Sequence, residues 1–156
     1  MSQSSLLLEH LDENLISVAA QISSRKKLLQ EVARLLTLPL EAQVREKDIY
    51  HHLLEREKLG NTGIGNGVAL PHSRCSATNK TVIAVITLDT PIDYHSIDRQ
   101  PVDVAFGLLV PLDASKEHLD MLSEIARMMT NNDYKSQLSN ASNANQLIEL
   151  IRTWST

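Results

Sequence analysis

KTVIAVITLD (residues 80–89) and PVDVAFGLLVP (residues 101–111) decide the fold class of this chain. Both are short apolar runs rich in β-branched residues and bounded by Asp or Pro. Neither shows the polar alternation of a strand with one face in water. That pattern predicts two strands buried on both faces, which requires something apolar on each side of them. GVAL (67–70) predicts a further short strand. Outward from this centre the period changes to that of helices. SSRKKLLQEVARLLTLP (23–39) places Leu28, Leu29, Val32, Leu35 and Leu36 at helical spacing, with Ser23 or Ser24 to cap its start and Pro39 near its end. LEAQVREKDIYHHLLEREKLG (40–60) predicts a second helix, burying Val44, Ile49, Leu53 and Leu54 and stopping at Gly60. ASKEHLDMLSEIARMMT (114–130) sets Leu119, Leu122, Ile125, Ala126 and Met129 on one side of a third, and NANQLIELIRTW (143–154) closes the chain as a fourth. Helices around a small buried sheet make an α/β layered domain.

Length and composition narrow the function. At 156 residues the chain is expected to form one domain over residues 1–156, large enough to bury a real core. A net charge of −4 argues against a nucleic-acid footprint, which needs a clustered basic surface. Cys75 is the single cysteine, so no disulfide framework can form within one chain. The opening MSQSSLLLEHLDEN lacks the basic n-region of a secretory signal. The longest apolar run, Val82 to Ile86, is far short of the roughly 18 to 20 residues that cross a bilayer. A cytoplasmic protein with no membrane insertion is the expectation.

The chemistry concentrates in GNTGIGNGVALPHSRC (60–75), which holds Gly60, Gly63, Gly65 and Gly67 and then Pro71-His72. Such glycines can aim backbone N–H groups at an anion, as phosphate-binding nests do. The nucleotide signatures are absent: there is no G-x-x-x-x-G-K-[ST], and Gly63 to Gly67 spell G-x-G-x-G. By itself such a segment is more often a turn than a binding site. His72 is equally open, since a neutral imidazole can carry a phosphoryl group on nitrogen or simply sit satisfied at a core edge. Two other places bear on it. Arg56, at the C-terminal end of the second helix, can swing toward the loop and offer its fork of donors to a phosphate, although taken alone it reads as a solvated helix end, where basic residues are favoured. His118 falls in the first turn of the third helix, where unpaired N–H groups favour anions, and by pattern it reads equally as a histidine exposed at a helix start.

These residues bear a resemblance. LEREKLGNTGIGNGVALPH (54–72) with SKEHLDMLSEIARMM (115–129) resembles the enzyme IIA domains of the fructose/mannitol class of the phosphotransferase system, over about residues 6–154. The segment from Asn61 to His72 is most similar to the STGIGNGIAIPH run of the nitrogen-regulatory IIA proteins. The resemblance implies a central mixed β-sheet flanked by helices. It implies that His72 is phosphorylated, on Nε2, by a phosphohistidine of an HPr-type carrier, and that His118 and Arg56 steady the phosphate. Thr62, Gly63, Gly65 and Gly67 would form the phosphate loop. Partners of similar proteins include potassium-transport components and sensor kinases. Ser73 stands where the family usually has Gly or Ala, with a variable position after it, here Arg74.

Three functions follow as expectations. The first is a regulatory phosphocarrier whose phosphorylation state switches partner binding, with no metal and no cofactor. The second is a sugar-specific IIA passing phosphate to a separate IIB, favoured by a fused IIB or membrane segment that this sequence does not contain. The third is a binding module without transfer, which loss of His72 or Arg56 would have indicated. Weaker candidates have plainer readings. His51, His52 and Glu55 have spacing that could ligate zinc but lack H-E-x-x-H, which favours a solvated helix face. Cys75 reads as an ordinary thiol, His10 and His95 as surface histidines, Met121, Met128 and Met129 as core, and Asp98 and Asp103 as turn residues.

Overall fold

In the computed structural model, residues 7–154 are described, so residue 6 of the expected core lies outside them. The two decisive runs become β5 (Val82–Ile92) and β6 (Val102–Val110), paired antiparallel at the centre of a six-stranded mixed sheet. β1 (Ile16–Ala20) lies parallel to β5 on one side. On the other side, β6 pairs in parallel with β3 (Val68–Ala69) near its start and with β4 (His72–Arg74) near its end. β2 (Gly63–Gly65) pairs antiparallel with β3 and forms the edge.

Five α-helices within residues 25–152 cover the sheet. They are α1 (Arg25–Thr37), α2 (Glu46–Leu59), α3 (Ser115–Met129), α4 (Asn132–Ser139) and α5 (Ala144–Arg152). Successive strand residues point to opposite faces, and the core divides accordingly. Val82, Ala84, Ile86 and Leu88 of β5 pack with Leu28, Val32, Ile49 and Leu53 of α1 and α2. Ile83 and Val85 join Val104, Phe106 and Leu108 of β6 against Met121, Ile125 and Met128 of α3, Leu138 of α4 and Leu147 and Ile151 of α5. Both strands read as unbroken apolar runs because both of their faces are covered. With aromatics scarce, the methionines fill the second core, as expected of flexible apolar side chains.

Ser24 is the cap of α1, its hydroxyl accepting from the Lys27 amide at 3.2 Å. Three details differ from the sequence reading. α2 begins at Glu46, because residues 41–45 turn first, with the Val44 amide bonded to the Glu41 carbonyl. The α3 stripe is His118, Met121, Ile125 and Met128, while Leu119, expected inside, is 60% exposed. It lies one residue off a stripe whose steps are three, four and three. β1, β2, β4 and α4 emerge from segments with too few residues to show a period.

Candidate active site

His72 opens β4, which is held to β6 by pairing with Leu108 and by the Leu108 amide donating to the Pro71 carbonyl at 3.0 Å. The ring is half-buried, and its Nδ1 lies 2.6 Å from the Leu70 carbonyl oxygen. A carbonyl can only accept, so Nδ1 carries the proton and Nε2 keeps its lone pair. Burial, and then the Arg56 charge, lower the pKa of His72, against an opposing pull from the Leu70 bond, which favours the nucleophilic neutral ring.

His118 faces it. The first turn of α3, where the His118 amide bonds to the Ala114 carbonyl, brings the two rings to 4.9 Å between centroids at a tilt of 48°. Only 6% of His118 is exposed, and its Nδ1 has no hydrogen-bond partner. Burial above all, then His72, Arg74 and Arg56, lower its pKa to about 4. His118 is therefore neutral at physiological pH, with hydrogen-bonding capacity unspent.

Arg56 arrives from the last turn of α2, its Nη1 donating to the Gly60 carbonyl at 2.7 Å. His72, His118 and Arg56 share one open cavity of about 470 Å³, whose walls also include Ser73, Arg74 and Leu59, with His52 and Glu55 at the α2 side. The Ser73 hydroxyl donates to the Arg74 carbonyl rather than to His72.

Thr62, Gly63, Gly65 and Gly67 do not line this cavity. Their segment is built into the sheet as β2, and its donors are engaged elsewhere. The Thr62 amide and hydroxyl bond to the two Glu57 carboxylate oxygens at 2.8 and 2.7 Å, and the same hydroxyl lies 3.0 Å from the Tyr94 phenol. The Gly63 amide donates to Asn61 Oδ1, and the Asn66 amide to Asp98 Oδ2. Gly65 and Gly67 have φ of 93° and 77°, a region that favours glycine, and Gly63 lies so close to Ser96 that a Cβ would sit 2.2 Å from its Oγ. The glycines thus shape a brace for the α2 end and the His72 strand.

The structure adds residues that the sequence reading did not single out. Glu57 and Tyr94, both buried, tie α2 to Thr62, and Arg74 reaches the cavity wall. No pattern marks Glu57 or Tyr94, which are distant in sequence, and the three-residue strand that sets Arg74 beside His72 is too short to show a period. His51 and His52 are exposed on α2, and among the described residues no three His, Cys, Asp or Glu side chains gather to hold a metal. Cys75 is buried and accepts from the Ala77 amide. His95 is exposed and His10 half-buried. Asp98 serves its turn through the Gln100 and Asn66 amides, whereas Asp103 instead pairs with Lys135 of α4. No helix among the described residues is long and apolar enough to cross a membrane.

Comparison with known proteins gives the family and the fold. Residues 9–154 match the family model described as phosphoenolpyruvate-dependent sugar phosphotransferase system, EIIA 2. A nitrogen regulatory protein of Pseudomonas aeruginosa is 40% identical over 128 residues, 82% of each chain. The crystal structure of nitrogen regulatory protein IIA-Ntr from Neisseria meningitidis superimposes with a TM-score of 0.87 at 32% identity, covering 94% of this chain and 99% of that one. Mannitol IIA of Escherichia coli shares the fold, with a TM-score of 0.75 at 15% identity over 90% of this chain and 98% of its own.

Proposed function

The chain belongs to the phosphotransferase-system EIIA 2 family, and on that premise we propose that it is a regulatory phosphocarrier, phosphorylated on His72. The observation that carries this reading is the Nδ1 bond of His72 to the Leu70 carbonyl, which leaves Nε2 as the free nucleophile beside His118 and Arg56. The donor is a phosphohistidine on a small HPr-type carrier. The His72 Nε2 lone pair forms the new N–P bond as the donor's N–P bond breaks, and the leaving electron pair returns to the donor imidazole. Such a transfer needs positioning and charge stabilisation more than covalent help, and Arg56 and neutral His118 supply donors for the phosphoryl oxygens. Thr62 and the glycine segment act indirectly, by fixing Glu57 and so the end of α2 next to Arg56.

The regulatory assignment is supported by similarity to a protein named for nitrogen regulation. A dianionic group added to a cavity rimmed by exposed Leu59 changes both charge and hydration there, enough to recruit or repel a partner, such as a sensor kinase or a potassium-transport component. A relay fed by phosphoenolpyruvate works in the cytoplasm, and we assign the chain to it. Intact mass after incubation with phosphoenolpyruvate, enzyme I and an HPr-type carrier tests the proposal. The expected result is one acid-labile phosphoryl group, absent from His72→Ala. A chain that stays unmodified beside an active donor would overturn it.

A further inference from the structure

We propose that Arg74 is a second phosphate-binding arginine of this site, gripping the phosphoryl oxygens from the strand side while Arg56 approaches from α2. The inference rests on the phosphocarrier reading and assigns the variable position after His72 a task in it. Residues two apart on a strand project to the same face, so β4 presents His72 and Arg74 together, and both line the cavity. The two arginines act differently on the histidine pair. The Arg56 charge acts on both rings, whereas Arg74 acts on His118 and does so more strongly than Arg56.

Their freedom also differs. One guanidinium nitrogen of Arg56 is spent on the Gly60 carbonyl. Arg74 is exposed, and among the described residues its side chain forms neither a salt bridge nor a hydrogen bond. A guanidinium fork unpaired among the described residues, beside a buried histidine that has an unpartnered Nδ1, makes a cationic, donor-rich corner in a cavity where Glu55 is already paired with Lys58. A phosphoryl group on His72 fits that corner in charge and in geometry, because a guanidinium fork matches two oxygens of a phosphate.

The test compares wild type, Arg74→Ala and Arg74→Lys after phosphorylation by the carrier chain. Phosphorus NMR reads the pKa of the phosphoryl group, and the equilibrium ratio of phosphorylated chain to phosphorylated carrier reads its binding. Arg74→Ala is expected to raise that pKa by about half to one unit and to shift the ratio about tenfold toward the carrier, the scale of one charge-assisted hydrogen bond. Arg74→Lys should restore the pKa, which follows charge, and only part of the ratio, which follows the fork. Unchanged values in Arg74→Ala overturn the role of Arg74 and leave the carrier reading intact. A parallel titration of the unphosphorylated proteins with inorganic phosphate, followed by the His118 ring resonances, separates the two. Arg74-dependent phosphate binding in a chain that accepts no phosphoryl group would sustain the anion site and overturn the carrier reading. Loss of both effects would overturn both.

Discussion

His118 and Glu124 lie two turns apart on α3, and burial pushes their pKa values in opposite directions. His118 falls from an ordinary 6.5 to about 4, whereas Glu124, 1% exposed with both oxygens unpartnered, rises from 4.5 to about 7. For the histidine, the unfolded chain binds more protons between pH 4 and 6.5, so stability rises with pH in that window and is lost on acidification. For the glutamate, the folded chain holds its proton longer, so stability falls as pH rises from 4.5 to 7. The two slopes oppose each other over the same range. Glu124→Gln removes the second, and we expect the variant to gain about 3–4 kcal/mol at pH 8, from about 1.4 kcal/mol per pKa unit. Its stability should rise steadily between pH 4 and 6.5, where the parent is nearly flat. Urea unfolding across pH checks both; a parallel offset at every pH would show that Glu124 does not titrate as argued. At this scale the sequence made His72, His118 and Arg56 legible because their residue types stand in a recognisable order. The tautomer of His72 was not legible, since it is set by a carbonyl whose position depends on the path of the chain through Pro71.

At the scale of elements, what could be read was what had enough residues to show a period. α1, α3 and the two long strands have it, and their burial patterns broadly match it, apart from Leu119, which is exposed, and Leu122 and Ala126, which are half-buried. β2, β3 and β4 are two or three residues long, and their pairing is enforced by β6 rather than by any propensity of their own. The glycine segment shows the consequence. Its composition suggested a cradle for an anion, yet its amides are consumed by Glu57, Asn61 and Asp98, a set that only the folded chain assembles. Gly107, the one glycine outside that segment, has an equally definite use. It sits in β6 beneath α1, where a Cβ would lie 2.3 Å from Cγ1 of Val32. Helix and sheet approach here as closely as they can. Gly107→Ala is therefore expected to destabilise the fold by about 1–3 kcal/mol through overpacking. In a Val32→Ala background the same substitution should cost less than about 1 kcal/mol, because the added methyl then enters vacated space. A double-mutant cycle in urea measures the coupling. Additive costs would mean that the helix shifts freely and that the contact is not what limits it.

The molecule as a whole is a covered sheet with His72, His118 and Arg56 gathered at one cavity, and the proposed phosphorelay would require that surface to dock. Three large apolar side chains are left in water at the end of α2 and around the start of α3. Leu59 ends α2 at the cavity wall, Leu112 lies between β6 and α3, and Leu119 follows His118. Their exposures of 86%, 60% and 60% contribute nothing to folding, while covering them on a partner would contribute to association. Leu119→Gln isolates that contribution. Glutamine is a good helix former, the position is outside the core, and no charge is introduced beside the phosphoryl group. Stability should stay within about 0.5 kcal/mol of the parent. The kcat/KM for phosphorylation by the carrier should fall about tenfold, the scale of removing one well-covered leucine from an interface. Phosphorylation by phosphoramidate, a small donor that needs no docking surface, should keep its parental rate. An equal loss with both donors would place Leu119 in the chemistry of the pocket rather than in partner recognition. Parental rates with both would mean that the carrier approaches the two histidines across another face of the cavity, with Leu59 and the β4 side the surfaces left to it.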